Sequence, residues 1–516
     1  MTLTLASKYG NKIKTAEELI ELIGPRPRKH SVVMCHGVFD LVHPGHIRHL
    51  LYAKSKADIL VASLTADQHI NKAQYRPFVP QDLRALNLAA LEMVDYVVID
   101  PDPTPLANIA HIQPDLFAKG YEYQDTGIHP KTQEELDLVT SYGGEMLFTP
   151  GDIVYSSSAI IETVPPNLTV DKLVTLMEAE NITFDRLRQT LAKAKGIPVH
   201  VVGDTIVDSL TYTTLIGGMT KSPTPSVRFD RKVDFIGGAA VVARHLRAAG
   251  AQVSLSTVLG KDEFKKFVLD GLAQDGITCQ AVIDRTRPTT NKNAIVCGGY
   301  RLLKVDNVDT RPVMGPILDK LVKQIAETPA KGVVFSDFRH GIFNRRTIPV
   351  LAGAIPAGVL RVADSQVASR WGNILEFEGF DLITPNEREA RFALADQDSG
   401  VRPLASSLFE AAKCGTLILK LGERGIITWR STADHAGRPF LVLDSFADRV
   451  VDPVGAGDAL LAYSTLAMLV GESEAVASIL GSIAAALECE HDGNIPIGID
   501  KMLESIASIE KCAEFR

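Results

Sequence analysis

The chain lacks the features that mark secreted, zinc-bound and membrane-spanning proteins. Its six cysteines, Cys35, Cys279, Cys297, Cys414, Cys489 and Cys512, lie far apart and form no CxxC pair. That spacing argues against a disulfide framework and a structural zinc site, and for reduced thiols. The opening MTLTLASKYGNKIK has no apolar signal-peptide core. Apolar stretches such as Ala459–Val470 are too short and too polar to span a bilayer. Basic residues do not predominate: 54 Lys and Arg face 62 Asp and Glu, for a net charge of −8. General nucleic-acid binding is therefore not expected. Short repeats and low-complexity tracts are absent. The expectation is a soluble, cytoplasmic protein that binds neither membrane nor nucleic acid.

What is present is an ordinary globular composition, 46% hydrophobic and 22% charged over 516 residues, with length for two large domains or three smaller ones. A βα alternation starts twice. The first run has strand-like Ser31–Cys35, Asp58–Leu64, Tyr96–Asp100, Asp115–Ala118 and Glu145–Phe148. Helical stretches near Gly45–Lys56, Pro80–Glu92 and Lys131–Ser141 lie between them. Five short apolar strands separated by helices predict a parallel sheet covered on both faces. The second run has strands near Val199–Gly203, Val253–Val258, Gly332–Ser336, Leu360–Ala363, Asp381–Ile383 and Leu417–Lys420. It ends in helices over Gly457–Val470 and Glu474–Glu488. The stretches Tyr212–Phe235 and Asn291–Val305 stand outside this alternation and predict a small sheet over the binding face. Neither run has a GxGxxG after its first strand, which argues against a dinucleotide-dependent dehydrogenase.

The first chemistry-bearing string is Gly37-Val38-Phe39-Asp40-Leu41-Val42-His43-Pro44-Gly45-His46. It follows the first strand and opens a helix, where free N–H groups and the helix dipole favour an anion. His43 and His46, three residues apart, can both face that anion. Donors fixed there stabilise the charge that builds on an α-phosphate as pyrophosphate leaves. The string resembles the signature of the cytidylyltransferase-like nucleotidyltransferases. Over about residues 12–162 the likeness is to the adenylyltransferase domain of bacterial ADP-heptose synthases. Lys72, Arg76-Pro77, Lys119-Gly120-Tyr121-Glu122-Tyr123 and Ser156-Ser157-Ser158 carry it further. The resemblance implies catalytic roles for His43 and His46, and nucleotide or phosphate contacts from Gly37, Phe39, Asp40, Lys72, Arg76, Lys119 and Ser157. Glu122 stands where that subgroup has Asp, which leaves base and ribose recognition open.

The second string is Asp452-Pro453-Val454-Gly455-Ala456-Gly457-Asp458-Ala459, just before a long apolar helix. Small residues at a helix start expose consecutive N–H groups to a phosphoryl group, and Asp458 can take the proton of an attacking hydroxyl. With Val202-Gly203-Asp204…Asp208, Gly237-Gly238, Asn386-Glu387-Arg388-Glu389 and Lys420-Leu421-Gly422-Glu423-Arg424-Gly425 in order, it resembles the ribokinase-family sugar kinases. The subgroup is similar to heptose-7-phosphate kinases, through Ser222-Pro223-Thr224-Pro225, Pro288-Thr289-Thr290, Arg301, Lys304, Asp306 and Ser336-Asp337-Phe338. That resemblance implies Asp458 as catalytic base and Lys420, Gly422, Gly425, Gly455, Ala456 and Gly457 around the nucleotide. It implies Asp204, Asp208, Gly237, Gly238, Arg301 and Lys304 on the sugar, and Asn386 and Glu389 organising Mg2+ through water. Val241 replaces a usual Asn, and Pro453-Val454 a usual Thr-rich pair, which leaves sugar identity and monovalent-ion contacts open.

Taken together the resemblances imply an α/β protein of the bifunctional ADP-heptose synthase type in reversed domain order. A Rossmann-like nucleotidyltransferase domain with a parallel sheet would span 1–162, a helical connector 163–197, and a ribokinase-like α/β sandwich with a small β lid 198–516. The kinase would phosphorylate the anomeric hydroxyl of a sugar phosphate, heptose 7-phosphate foremost, with Mg2+ and ATP and a monovalent cation as a further candidate. The other domain would join a nucleotide from ATP or CTP to a sugar 1-phosphate. A separate phosphatase would act between the steps. The alternatives are the same chemistries on another sugar or polyol phosphate with CTP, or a regulatory protein that binds nucleotide without turnover. Ile216, Val227, Phe229, Val233, Phe235, Ile295, Val296, Leu302 and Leu303 on the lid strands lead us to expect a homodimer through the lids.

Overall fold

The computed structural model describes residues 8–70, 77–120, 130–149, 169–217, 225–366, 373–431, 439–447, 449–491 and 493–514. The chain divides into two compact units, Met1–Thr175 and Leu176–Arg516.

In the first unit the strands are β1 (Ile13–Lys14), β2 (Val32–Gly37), β3 (Ile59–Thr65), β4 (Tyr96–Asp100), β5 (Leu116–Gly120) and β6 (Glu145–Thr149). They form one sheet in the order β1-β4-β3-β2-β5-β6, and every pair is parallel. Alternate residues of one strand enter different cores. Val33 and Cys35 pack with Leu60, Ala62 and Val97, while Val32 and Met34 pack with Val61, Val98 and Phe117. Burial on both faces is why these strands read as continuous apolar runs. Five of the six were expected; β1 is a two-residue edge pair with no apolar run to betray it. The order reverses between β2 and β5, and at such a switch point the crevice beyond the strand ends binds ligands.

The second unit contains, in chain order, β7 (Pro198–Gly203), β8 (Thr205–Gly217), β9 (Ser226–Gly238), β10 (Gln252–Leu259), β11 (Thr278–Ile283), β12 (Asn291–Cys297), β13 (Tyr300–Asn307), β14 (Gly332–Asp337), β15 (Leu360–Ser365), β16 (Leu382–Ile383), β17 (Thr416–Lys420), β18 (Ile426–Arg430) and β19 (Phe440–Leu443). Nine of them form the sheet β11-β10-β7-β14-β15-β16-β17-β18-β19, parallel until β18 and β19 turn antiparallel. The other four form the expected lid, β13-β12-β8-β9. β11, β18 and β19 extend the main sheet beyond the expected strands. Under one face of it Phe335, Phe343, Phe377 and Phe380 make a ring cluster, where truncating one ring to Ala would cost about 3–5 kcal/mol.

Helices Ala456–Leu469 and Glu474–Cys489 are buried along most of their length. Two of their buried hydroxyls are satisfied locally, Ser464 Oγ donating to the Ala477 carbonyl at 2.9 Å and Ser478 Oγ meeting Thr428 Oγ1 at 2.7 Å. Of the expected connector, 163–168 lies outside the described residues. Its helix Phe184–Lys193 buries Leu187 and Leu191 and pairs Arg186 with Glu472 at 2.8 Å and Arg188 with Glu510, all within the second unit.

Candidate functional site

In the first unit β2 ends at the switch point and feeds the loop that carries the histidines. His43 is the N-cap of helix Pro44–Lys54, its Nδ1 accepting the Gly45 N–H at 3.2 Å. That bond leaves Nε2 to carry the ring proton, and burial lowers the His43 pKa, so a neutral imidazole offers one N–H outward. The His46 ring stacks on His43 at 3.9 Å between centroids. Phe39, buried and at φ +47°, sets its ring edge against His46 at 5.2 Å. The two imidazoles thus form one rigid pair at a helix N-terminus.

The loop is fixed from below. Asp40 accepts the N–H groups of Phe78 and Val79 at 2.9 and 2.8 Å. Buried Arg84 donates to the carbonyls of Val38, Thr65 and Val79 and pairs with Asp67 at 2.6 Å. Gly37 closes β2, where a Cβ would stand 3.3 Å from the Phe39 ring. Lys119, at the end of β5, is ion-paired with Glu135. Beside it His36 contacts Ser63 Oγ at 2.9 Å and Thr65 Oγ1 at 3.2 Å. Burial, then the Lys119 charge, brings His36 down to about 3. Lys72, Arg76, Glu122 and Ser157 lie outside the described residues.

In the second unit Asp458 stands in the first turn of helix Ala456–Leu469, with Gly455 as N-cap at φ +95°. A side chain at Gly455 would be strained by that φ and would run into Asn494 Oδ1 at 2.5 Å and Glu488 Oε1 at 2.8 Å. The turn leaves the opening amides of the helix without intrahelical acceptors. Lys420, at the end of β17, lies over it: a Cβ on Gly457 would be 3.1 Å from Lys420 Nζ. Lys420 donates to Asp364 Oδ1 at 2.9 Å. Burial alone would lower its pKa, but Asp364, Glu389 and Asp458 together hold it above the ordinary lysine value. Asp458 is pushed up to about 7, first by burial and then by Asp364, with Lys420 opposing and Glu488 and Glu389 adding. A carboxylate poised near neutrality beside a fixed ammonium is suited to general-base work.

Asn386 and Glu389 form a reciprocal capping box on helix Glu387–Leu394, at 2.7 and 2.8 Å. Among the described residues no group of three acidic, His or Cys side chains could hold a metal directly. Three carboxylates, those of Asp364, Glu389 and Asp458, nevertheless act on the single Lys420 ammonium, an excess of negative charge that fits a hydrated divalent ion. Gly422 and Gly425 form the tight turn between β17 and β18.

The residues expected to meet the sugar lie on the lid strands and where the lid joins the sheet. Gly237 pairs opposite Ile206, and any Cβ there would stand 2.1 Å from Asp208 Oδ2; the neighbouring Gly238 turns at φ +64° against the Asp204 carbonyl. Burial raises the Asp208 pKa against the pull of Lys292, Lys304 and Arg301. Asp204, buried, accepts the amides of Phe338, His340 and Ile342 at 3.1–3.4 Å, which anchors the lid root to the turn after β14. Val241, in the helix opened by Gly237-Gly238, is buried and offers no polar group.

Sequence reasoning missed Lys292, His340, Asp364, Glu488 and Asn494. Asp364 and His340 lie at or just past the carboxyl ends of parallel strands, a position that itself flags function. Lys292 is seen only through the lid register, which sets it between Asp208 and Asp306. The Glu488 and Asn494 side-chain oxygens are buried next to Gly455. Burial pushes Glu488 up to about 7, with the Ile495 backbone N–H opposing and Asp452 adding.

Residues 198–501, more than half the chain, match the family model described as pfkB family carbohydrate kinase. The chain belongs to the pfkB carbohydrate kinase family. Its residues 34–163 match the model described as cytidylyltransferase-like. Among relatives of the kinase part, the D-beta-D-heptose 7-phosphate kinase of Bordetella bronchiseptica is 30% identical over 291 residues, covering 55% of this chain and 87% of that protein. The bifunctional protein HldE of Caulobacter vibrioides is 29% identical over 299 residues, covering 57% of this chain and 60% of that one. For HldE of Syntrophotalea carbinolica the match is 39% over 144 residues, 27% of this chain and 28% of that one. Each alignment thus spans less than two thirds of these bifunctional relatives. Phosphofructokinase-2 from Escherichia coli has the pfkB-type fold of this chain: TM-score 0.50, 17% identity, 61% of this chain and 99% of that one. Among the described residues no helix is long and apolar enough to cross a membrane.

Proposed function

We propose that the chain is a bifunctional sugar-activating enzyme, with catalytic modules at 1–162 and 198–516 joined by 163–197. The observation that carries the reading is Asp458, near-neutral in pKa, beside Lys420 and at a glycine-bounded helix N-terminus. In the kinase module the anomeric hydroxyl of a sugar phosphate gives its proton to Asp458 while its oxygen attacks the γ-phosphorus of ATP. The β–γ bridging bond breaks, and ADP leaves with a sugar bisphosphate that carries the new 1-phosphate beside the original one. Amides of the Gly455–Gly457 turn and Lys420 stabilise the charge on the transferring group. Glu389 and Asn386 are the residues that would hold a hydrated Mg2+, which would neutralise phosphate charge there. The buried oxygens of Glu488 and Asn494 would suit a monovalent cation near Gly455. Asp208 takes sugar hydroxyls, and Arg301 and Lys304, exposed on β13, meet the phosphate the substrate already carries.

In the nucleotidyltransferase module a phosphate oxygen of the sugar 1-phosphate attacks the α-phosphorus of ATP or CTP, and pyrophosphate leaves. His43 and His46 donate to the phosphate oxygens as charge builds. The Bordetella and Caulobacter relatives support heptose 7-phosphate as the first sugar to test, with a phosphatase acting between the two steps. Buried, apolar Val241 favours a second reading for the kinase module, another sugar or polyol phosphate as substrate. The exposed apolar lid residues support a homodimer. The deciding experiment is a screen of sugar phosphates and nucleoside triphosphates, scoring ADP and pyrophosphate. Release of neither with any of them refutes the enzyme reading and favours a nucleotide-binding regulator.

A further inference from the structure

At the carboxyl end of β14 the chain makes a strained turn that no step above uses. Arg339 sits at φ +59°, a costly conformation for a residue with a Cβ. Ion pairs hold it there, Nε to Asp337 and Nη1 to Glu376, both at 2.8 Å. The turn carries the His340 ring inward until 9% of the residue is exposed. Neither ring nitrogen has a hydrogen-bond partner among the described residues, and Nδ1 is wholly buried. A polar ring held in this way needs a partner from outside the chain.

The surroundings say what that partner is. The Lys292 ammonium is the charge that bears on the ring. Asp204, bonded to the His340 amide, also acts on Lys292. In the lid register Lys292 lies between Asp208 on β8 and Asp306 on β13. Burial, then Lys292, brings the ring down to about 4, so at neutral pH it offers one N–H and one lone pair. Nδ1 is enclosed by protein, so Nε2 is the ring nitrogen a ligand can reach. The Lys292 ammonium opposes a cation there, and the carboxylates around Lys292 oppose an anion; a neutral hydroxyl group, which both donates and accepts, pairs with Nε2 in either tautomer.

We propose that His340 is a specificity-determining residue of the kinase module, hydrogen-bonding one hydroxyl of the sugar held between Asp208 and Lys292. The inference rests on the sugar-kinase reading. A site that sets a buried polar ring against one hydroxyl rejects the analogue lacking it, because the ring is then left unpaired.

The test uses the full chain, the best substrate from the screen above (heptose 7-phosphate first) and its monodeoxy counterparts. His340→Phe should lower kcat/KM for the parent sugar about 10-fold or more. For one monodeoxy analogue, the one lacking the contacted hydroxyl, it should change little. His340→Gln, which keeps a donor and an acceptor, should recover most of the loss. Calorimetric binding of the same sugars to Asp458→Asn, with and without His340→Phe, should repeat this selectivity without turnover. Equal loss across the whole panel, or no loss for any sugar, overturns the proposal while leaving the kinase standing. A wild-type chain that neither phosphorylates nor binds any sugar phosphate overturns the kinase reading and this inference with it.

Discussion

Replacing Asp458 with Asn separates chemistry from stability, because the same burial that tunes the carboxyl also makes it costly to ionise. Its ordinary pKa is 3.8 and in the folded chain it is pushed up to about 7. A folded-state pKa above the unfolded one means the native state holds the proton more tightly. The associated stability is therefore present below about pH 4 and is lost as pH rises through about 7. At about 1.4 kcal/mol per pH unit, reduced for partial solvent access, ionised Asp458 destabilises the kinase unit by on the order of 2–4 kcal/mol at pH 8. Asn does not ionise, so Asp458→Asn should be more stable than wild type, and the margin should grow from pH 5 to pH 8 in urea melts. ATP-dependent sugar phosphorylation should fall about 10²–10⁴-fold, while pyrophosphate release persists, since His43 and His46 belong to a separately cored unit. Kinase activity within tenfold of wild type would refute the base assignment. A stability margin that stays flat with pH would refute the electrostatic argument, and equal loss of both activities in a folded protein would refute the two-site reading.

Three further outcomes are expected. His46→Ala should remove most pyrophosphate release, a loss worth about 3–4 kcal/mol, with sugar phosphorylation unchanged; full retention would make the stacked histidine pair a structural turn. Gly237→Ala places a methyl 2.1 Å from Asp208 Oδ2 and should raise the sugar KM at least about 10-fold with nucleotidyl transfer intact; an unchanged KM would remove Asp208 from the sugar site. Phe229, 63% exposed, and Phe235, 45% exposed, lie on β9 of the lid, so light scattering should give a dimer that Phe229→Asp or Phe235→Asp halves. A monomer mass for the unmodified chain would end the dimer reading.

Strands buried on both faces were legible because their residues have no polar alternation to confuse the reading. β2, β4 and β14 fall within two residues of where the sequence puts them. β1, β11 and β19 were not, since edge strands draw their shape from neighbours rather than from their own pattern; β18, inside the sheet between β17 and β19, was missed because its pairing is antiparallel and falls outside the βα alternation. The HPGH and GAGD strings were legible because a helix N-terminus and its phosphate-facing residues are contiguous in sequence. What stayed hidden depends on distant residues meeting. Lys292 faces Asp208 only through the parallel pairing of β12 with β8, and Glu488 and Asn494 acquire meaning only beneath Gly455. Asp204 was legible as a residue but not in its geometry, for nothing local says that its carboxylate is held by amides more than 130 positions away.

That Asp204 contact bears on how the lid can behave as a machine part. β7 ends at Gly203 and β8 begins at Thr205, so a single residue joins the rigid sheet to a lever thirteen residues long. Three amides clamp that residue, which fixes the fulcrum in place. Bending must then accumulate farther out, along β8 and β9, where the ladder already slips register near Tyr212 and again near Leu215. The lid would flex like a reed gripped at its base, the far ends of β8 and β9 moving most while Asp208, four residues from the grip, hardly moves.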